Sequence, residues 1–460
     1  MARETLISEK RVNLVGAVQL VHRHLTSAMC DAVFRDLRTK ERARTWTLDA
    51  MARFWIAVVL RAPDSLREAL EEAHGGRAGF PFVESTTSSF FERAQGMRWE
   101  FFEELFRRFL ASVLPETRPD FEATLAAELP EFPELWAVDG TSLDRVAHRL
   151  KAVRGVRAVV IPGSVLAMLD LRRGVLRRVV FREKLLTDEV SCLARELDEI
   201  PKGTMLVMDR GFCSMKLLVD LGARGLHAAV RFQKSVRAQE IEVLSRFEDE
   251  GVQVVDRLVV LGSGSGGRPK VTARLIEKPL ADGGLLRLVV TVLDPAKLPA
   301  RAALSLYRRR WAVERMFQEL KQVLDLRRFY AANTNAVAMQ VYACAIVHVA
   351  LRVTQARIAR EQKLAPEAFS VAKLFPRVAA AHYRLLEAVE HFEMTRRANP
   401  GVDLVEPDWS DVGLYSVRLR RLLARKRSAL RRHGASRTYT ERFVSLQRYE
   451  RRDRPPARGP

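Results

Sequence analysis

Cysteine is scarce in this 460-residue chain: Cys30, Cys192, Cys213 and Cys344 stand far apart, with no C-x-x-C pair and no histidine cluster beside them. That spacing argues against structural zinc and against a disulfide scaffold, and it fits a reducing cytoplasm. The N-terminal stretch Met1–Asn13 has no apolar run of the kind a signal peptide needs. Long hydrophobic runs are also lacking. The most apolar helix candidate, Ala338–Val353, is interrupted by Gln340 and His348 and reads as a core helix too short to span a bilayer. Internal repeats are absent. Acidic residues are outnumbered: 56 Asp and Glu stand against 77 Lys and Arg, leaving a net charge of +21 and a pI near 10.4. A surplus of this size calls for a polyanionic partner, because neutralised phosphates release condensed counterions. Nucleic acid is the first candidate, with an anionic membrane surface or a ribosome as competitors.

What is there divides by region. An apolar fraction of 48 % is ample for a large core, and the length alone corresponds to roughly three domains. The basic excess is uneven: Arg418–Pro460 holds 15 Lys/Arg against 3 Asp/Glu, a net +12 in 43 residues. This is a basic arm, read either as a solvated tail or as a DNA contact, and its last stretch, 450–460, reads as a disordered basic tail. Residues 1–130 read as helical. Thr47 opens an apolar-periodic segment to Leu60, Pro63 ends it, and the Ser65/Glu68 spacing is that of a capping box opening a helix from Leu66. Further helices are expected at Ser88–Gln95 and Trp99–Leu114.

From about 131 the pattern turns mixed. Strands are expected at Leu135–Asp139, Val165–Leu169, Val175–Phe181, Met205–Met208 and His227–Phe232, with helices at Asp188–Leu197 and Met215–Arg224. Residues 233–298 are β-rich, with strands at Val252–Leu261, Val271–Ile276 and Leu285–Leu293, and read as an insertion in an α/β domain. One long helix, about Ala300–Leu326, follows behind Pro299. Helices dominate thereafter, through the rest of the α/β domain at 299–360 and across 361–449.

Three places carry candidate chemistry. Asp139-Gly140-Thr141 puts a carboxylate at the end of one apolar strand, and Asp209-Arg210-Gly211-Phe212 puts one at the end of another. Taken singly, each is as well explained as a turn residue or a cap. Together they would bring carboxylates to one sheet edge, where ligand sites of open α/β sheets lie. The third place is the helix bearing Tyr307, Arg310, Glu314 and Lys321, a Y-x2-R-x3-E-x6-K spacing that sets these side chains along one helical face. A solvated polar face with one Arg–Glu pair is the plain alternative. Phosphodiester displacement needs hard oxygen ligands for divalent ions, and carboxylates from separate elements supply them. Cations and a tyrosine hydroxyl nearby can hold phosphates.

D-G-T, D-R-G-F and Y-x2-R-x3-E-x6-K, in that order, resemble the DDE transposases of bacterial insertion sequences, specifically the group with the Y-R-E-K signature (the insertion-sequence-4-like family). The resemblance covers roughly residues 45–360, with Asp139 and Asp209 separated by 70 residues and Asp209 and Glu314 by 105. It implies a ribonuclease-H-like catalytic core at 131–232 and 299–360, interrupted by the β-rich insertion at 233–298. Asp139, Asp209 and Glu314 would be both catalytic and metal-binding, holding two Mg²⁺ or Mn²⁺ ions. Tyr307, Arg310, Lys321 and Arg210 would bind DNA. The N-terminal helices would help to recognise terminal inverted repeats, and a homodimer would act on paired ends and on target DNA by a cut-and-paste route. The setting would be the bacterial cytoplasm at the nucleoid, with no membrane partner.

One departure stands out. Relatives in this group cut through a DNA hairpin and stack a flipped base on a Trp of the insertion. Residues 233–298 contain no Trp, and Phe247 is their only aromatic. Either another residue such as Phe247 or Trp311 takes that part, or the hairpin route is not used. Trp311 itself is expected to pack in the core. The competing readings are a nuclease on the same fold, a DNA-binding protein derived from such an enzyme, and a basic structural or membrane-surface protein. The first lacks a reason for the Tyr/Arg/Lys spacing, the second predicts a lost carboxylate, and the third leaves the ordered motifs unexplained.

Overall fold

Short apolar runs rich in Val, Leu and Met form most strands of a nine-stranded sheet, while Arg11–Val12 pairs antiparallel with Val417–Arg418 in a separate two-stranded ladder. In the computed structural model the described residues are 11–423, except 13–14, 43, 76–79, 144–162, 184–187, 233–237, 265–268, 325, 327–328, 332, 400–416 and 419–421. The basic arm beyond Leu423, with the 450–460 tail, and most of the 399–449 stretch therefore lie outside them.

Seven helices come first: α1 (Val15–His24), α2 (Ser27–Leu37), α3 (Leu48–Arg61), α4 (Leu66–His74), α5 (Thr87–Gly96), α6 (Glu100–Val113) and α7 (Ala123–Glu128). Their starts follow the capping chemistry in the sequence. Thr47 accepts from Ala50 N, and Ser65 accepts from Glu68 N. Glu68 closes its half of the box one residue early, accepting from Asp64 N at 2.7 Å.

The sheet strands are β1 (Leu135–Ser142), β2 (Ser164–Asp170), β3 (Leu176–Arg182), β4 (Met205–Met208), β5 (His227–Arg231), β6 (Ala238–Asp249), β7 (Val252–Leu261), β8 (Val271–Pro279) and β9 (Leu285–Val290). Helices α8 (Glu189–Ala194) and α9 (Met215–Ala223) connect β3 to β4 and β4 to β5. The order across the sheet is β3-β2-β1-β4-β5-β9-β8-β7-β6. β1 pairs in parallel with β4, and β4 with β5, while the other pairings are antiparallel. Between β2 and β3, Asp170 accepts from the backbone of Arg172 and Arg173, each at 2.9 Å, and Gly174 adopts φ +66. A side chain at Gly174 would collide with the Phe121 ring.

One expectation for the 233–298 region changes. It holds four strands, not three, because Ala238–Asp249 is a twelve-residue strand. Its side chains are mostly exposed and its polar residues do not alternate cleanly, so periodicity did not reveal it. β9 pairs with β5, so β6–β9 extend the central sheet from its β5 edge.

After the sheet come α10 (Ala300–Arg308), α11 (Trp311–Gln322), α12 (Thr334–Glu361) and α13 (Val371–Ala398). The single helix expected at 300–326 is thus two. Arg309 Nη1 donates to Ser305 O at 2.9 Å, occupying the carbonyl that a regular helix would offer to Arg309 N, and the backbone tightens to i→i+3 bonds from Arg309 and Arg310. The expected core helix is longer than its apolar stretch. At 28 residues α12 is long enough to cross a bilayer, and 94 % of its most apolar window is buried inside the protein. Helices α1, α3 and α6 pack around it, and one apolar core runs from these helices to the Ala137/Val207/Ala229 face of the sheet. A second core lies on the other face, under α8 and α9.

Candidate active site at the ends of two parallel strands

Side-chain alternation assigns the faces. Ala137 and Val207 point to the α12 side, and Val138 and Met208 to the α8/α9 side. Val138 pairs with Met208 across the parallel β1/β4 ladder. Asp139 and the still-extended Asp209 therefore follow side by side on strands about 4.8 Å apart, both on the α12 side. Gly140 N donates to Asp139 Oδ1 at 2.9 Å. Asp209 Oδ1 is buried with no hydrogen-bond partner among the described residues.

Helix α11 covers these strand ends. Val313, Met316, Phe317 and Leu320, at i, i+3, i+4 and i+7, form its buried stripe. His348 of α12 anchors it through Glu319, with His348 Nε2 3.0 Å from Glu319 Oε2. Burial holds His348 below its ordinary pKa. The neutral ring thus donates through Nε2 to the carboxylate. The helix sets Glu314 in its first turn and Lys321 in its last. Lys321 Nζ donates to Thr141 Oγ1 at 2.8 Å, two residues beyond Asp139 on the same strand face.

Tyr307 ends α10 and Arg310 precedes α11, and both are buried, at 7 % and 5 % exposure. Arg310 Nη1 donates to Glu314 Oε1 at 2.6 Å, and its guanidinium lies over the Tyr307 and Trp311 rings. Tyr307 Oη and Arg310 Nε have no hydrogen-bond partner among the described residues. Although the helix breaks between Tyr307 and Glu314, all four residues of the Y-R-E-K spacing remain at the strand ends. Arg210 is exposed in the single turn after Asp209.

The electrostatics are those of crowded carboxylates. Burial raises the Asp139 carboxyl from 3.8 to about 7; the Gly140 N–H and Arg310 oppose the rise, while Glu314 and Glu189 add to it. Burial likewise pushes Tyr307 up to about 12, with Asp209 adding to the rise and Arg310 and Arg231 opposing it. The donors are all oxygens and Asp209 Oδ1 is orphaned, which suits a hard divalent cation. As they stand, no three His, Cys, Asp or Glu side chains among the described residues converge to enclose a metal ion. Asp139 spends an oxygen on Gly140 N, and Glu314 is turned to Arg310.

Two neighbours of the site carry no motif. Arg231 ends β5 on the same face, where only strand pairing reveals its place. Glu189 starts α8 and reaches Gly140 from the other face of the sheet: a Cβ on Gly140 would lie 2.2 Å from Glu189 Oε1. Trp311 is a correction. It is 49 % exposed instead of packed in the core, since it starts α11 on the face away from the buried stripe. Phe247, by contrast, packs partly against the core, with the Arg301 guanidinium over its ring.

Residues 132–350 match the family model described as "Transposase DDE domain". A candidate transposase of Sinorhizobium fredii, y4zB, is 30 % identical over 160 residues, or 34 % of this chain and 43 % of that protein. A candidate transposase for insertion sequence element IS4SA, from Synechocystis, is 23 % identical over 158 residues, again 34 % of this chain and 43 % of that protein. The match thus spans less than half the length of either relative. A solved piggyBac transposase synaptic complex with hairpin DNA aligns over 96 % of this chain and 91 % of that one, at 10 % identity and a TM-score of 0.37, a likeness too slight to carry an argument.

Proposed function

We propose, from the match of residues 132–350 to a transposase DDE domain, that the protein cleaves DNA at the ends of an insertion sequence and transfers the freed strands into target DNA. The observation that carries this reading is that Asp139 and Asp209 each follow the last pair, Val138–Met208, of the parallel β1/β4 ladder, with Glu314 close enough to help raise the Asp139 carboxyl.

In this reading Asp139, Asp209 and Glu314 supply the carboxylate oxygens for two Mg²⁺ or Mn²⁺ ions. Such ions, when bound, stabilise the attacking and leaving oxygens of an in-line displacement at phosphorus. Lys321, beside Thr141, and Arg210, exposed after Asp209, hold phosphates by charge. Tyr307 keeps its proton at neutral pH and donates its hydroxyl hydrogen to a phosphate oxygen. Arg310 has two calls on it: while no DNA is bound it holds Glu314, and a phosphate that takes the guanidinium releases that carboxylate toward Asp139. Trp311 is the accessible aromatic beside this group and fits a stacking role better than Phe247 does.

The strand order β3-β2-β1-β4-β5, with β1, β4 and β5 parallel, supports a ribonuclease-H-like core, and the Y-R-E-K spacing supports the insertion-sequence-4-like group. The remaining parts of the reading follow the family: repeat recognition by residues 1–130, a homodimer on paired ends, cut-and-paste movement, and work at the nucleoid.

The test is an in vitro reaction with Mg²⁺ or Mn²⁺ on DNA carrying the element's own ends, comparing wild type with Glu314→Gln. Cleavage and joining in the wild type, both lost in the variant, is the expected result. Cleavage without joining would turn the reading into a nuclease. Binding without cleavage in any condition would turn it into a DNA-binding protein.

A further inference from the structure

The two aspartate motifs each carry a glycine, Gly140 directly after Asp139 and Gly211 two residues after Asp209. Neither needs a left-handed backbone; neither is among the glycines of positive φ. Space explains Gly140. A Cβ there would meet three atoms of one side chain, Glu189 Oε1 at 2.2 Å, Cδ at 2.7 Å and Cγ at 3.1 Å. Contacts under about 3 Å are not tolerated, so a Cβ at Gly140 would push the flexible end of the Glu189 side chain aside. Gly211 borders the same carboxylate from the second motif, its Cβ position 3.9 Å from Glu189 Oε2.

Glu189 is held in that gap by its own helix. Asp188 caps α8, accepting from Val190 N and Ser191 N, and Cys192 and Leu193 bury the helix against the second core. The result is a carboxylate set against the two motif loops that already bear Asp139 and Asp209. Gathering like charges is unfavourable unless a cation repays it. A second observation points to a ligand at the neighbouring strand ends: the Tyr307 hydroxyl, on a residue 7 % exposed, and Asp209 Oδ1 are buried with no hydrogen-bond partner among the described residues.

We propose that Glu189 is a fourth carboxylate of the divalent-cation site, admitted beside the two aspartate loops by Gly140. The proposal rests on the cation-binding reading above and adds to it a residue from α8, on the far face of the sheet.

The test is Mn²⁺ binding by calorimetry on the full chain without DNA, beside metal-free melting, for wild type, Asp139→Asn, Glu189→Gln and Gly140→Ala. Wild type is expected to bind and Asp139→Asn to lose binding. Glu189→Gln should weaken Mn²⁺ affinity about tenfold or more while melting at or above the wild-type temperature without metal, because a like charge has gone. A merely structural glutamate would instead lower the metal-free melt and leave affinity unchanged, and that result overturns the proposal while sparing the cation-binding reading. No Mn²⁺ binding by wild type would sink both. Gly140→Ala displaces the Glu189 carboxylate and should weaken Mn²⁺ affinity about as much as Glu189→Gln does, with little change in the metal-free melt. If Gly140→Ala binds Mn²⁺ as wild type does, the carboxylate in that space is no ligand and the proposal fails.

Discussion

Buried charge is treated in opposite ways in two parts of the sheet. In the extension, Arg274 and Asp256 are wholly buried and fully satisfied: Arg274 donates through Nε and Nη2 to Asp256, and through Nη1 to Leu298 O at 2.6 Å and Val292 O at 3.4 Å. At the β1/β4 ends, Asp209 Oδ1, Tyr307 Oη and Arg310 Nε are buried with no partner among the described residues, and Asp139 is crowded by two carboxylates. A closed network stabilises a fold and asks for nothing further. Open valences in a buried site cost stability, and their persistence marks a place where a ligand completes the set. The contrast separates two kinds of buried ion pair that composition cannot distinguish.

The largest effect expected from breaking it lies on the open side. Asp139→Asn, Asp209→Asn and Glu314→Gln should each reduce cleavage of transposon-end DNA by on the order of a thousandfold or more, while end binding in a gel-shift assay stays near wild type. A neutral variant that still cleaves well removes that residue from the chemistry.

On the closed side, Arg274→Met strands a buried carboxylate and should cost about 3–5 kcal/mol in urea unfolding. Adding Asp256→Leu should recover most of it. A single variant as stable as the parent would show that the pair is not what holds β7 to β8.

Titration sharpens the comparison next. Asp139 has a folded pKa of about 7 against 3.8 when unfolded. A raised carboxyl favours the folded state most below about pH 4, and the advantage disappears as pH climbs toward 7, at about 1.4 kcal/mol per unit before solvent screening. Metal-free stability should therefore fall between pH 4 and 7, and Asp139→Asn should flatten that slope. An unchanged slope in the variant would assign it to other groups.

The smallest effect expected is at the rim. If Lys321 holds a phosphate as proposed, Lys321→Ala should lower the salt dependence of end binding by about one unit of slope, with a modest loss of affinity. An identical slope would leave Lys321 as a structural partner of Thr141.

Much of this was legible without coordinates, for particular reasons. The end of β4 was readable because a short apolar run stops at Met208, whereas β1 runs three residues past the expected Asp139 because Gly140, Thr141 and Ser142 continue its pairing with β2. The Glu314 group was readable because helical spacing preserves neighbours even across the Arg309 break. Trp311 was misjudged because aromatic residues are mostly buried and only the direction of the α11 stripe turns this one outward. The strand Ala238–Asp249 was missed because an exposed edge strand needs no apolar face to declare it.

By itself, then, the sequence determined what local physics can encode. It set the basic charge and its concentration past Arg418, the capped helices, the strand ends that carry carboxylates, and the i, i+4 pairing of Arg310 with Glu314. Tertiary structure alone decided what depends on parts distant in the chain meeting. β9 joins β5, α12 is covered by the N-terminal helices, Lys321 reaches Thr141, and Glu189 occupies the space left by Gly140. The physical reason is one of range. Propensity and periodicity act over a few residues, whereas the volume left empty at Gly140 acquires meaning only when a side chain 49 positions away fills it.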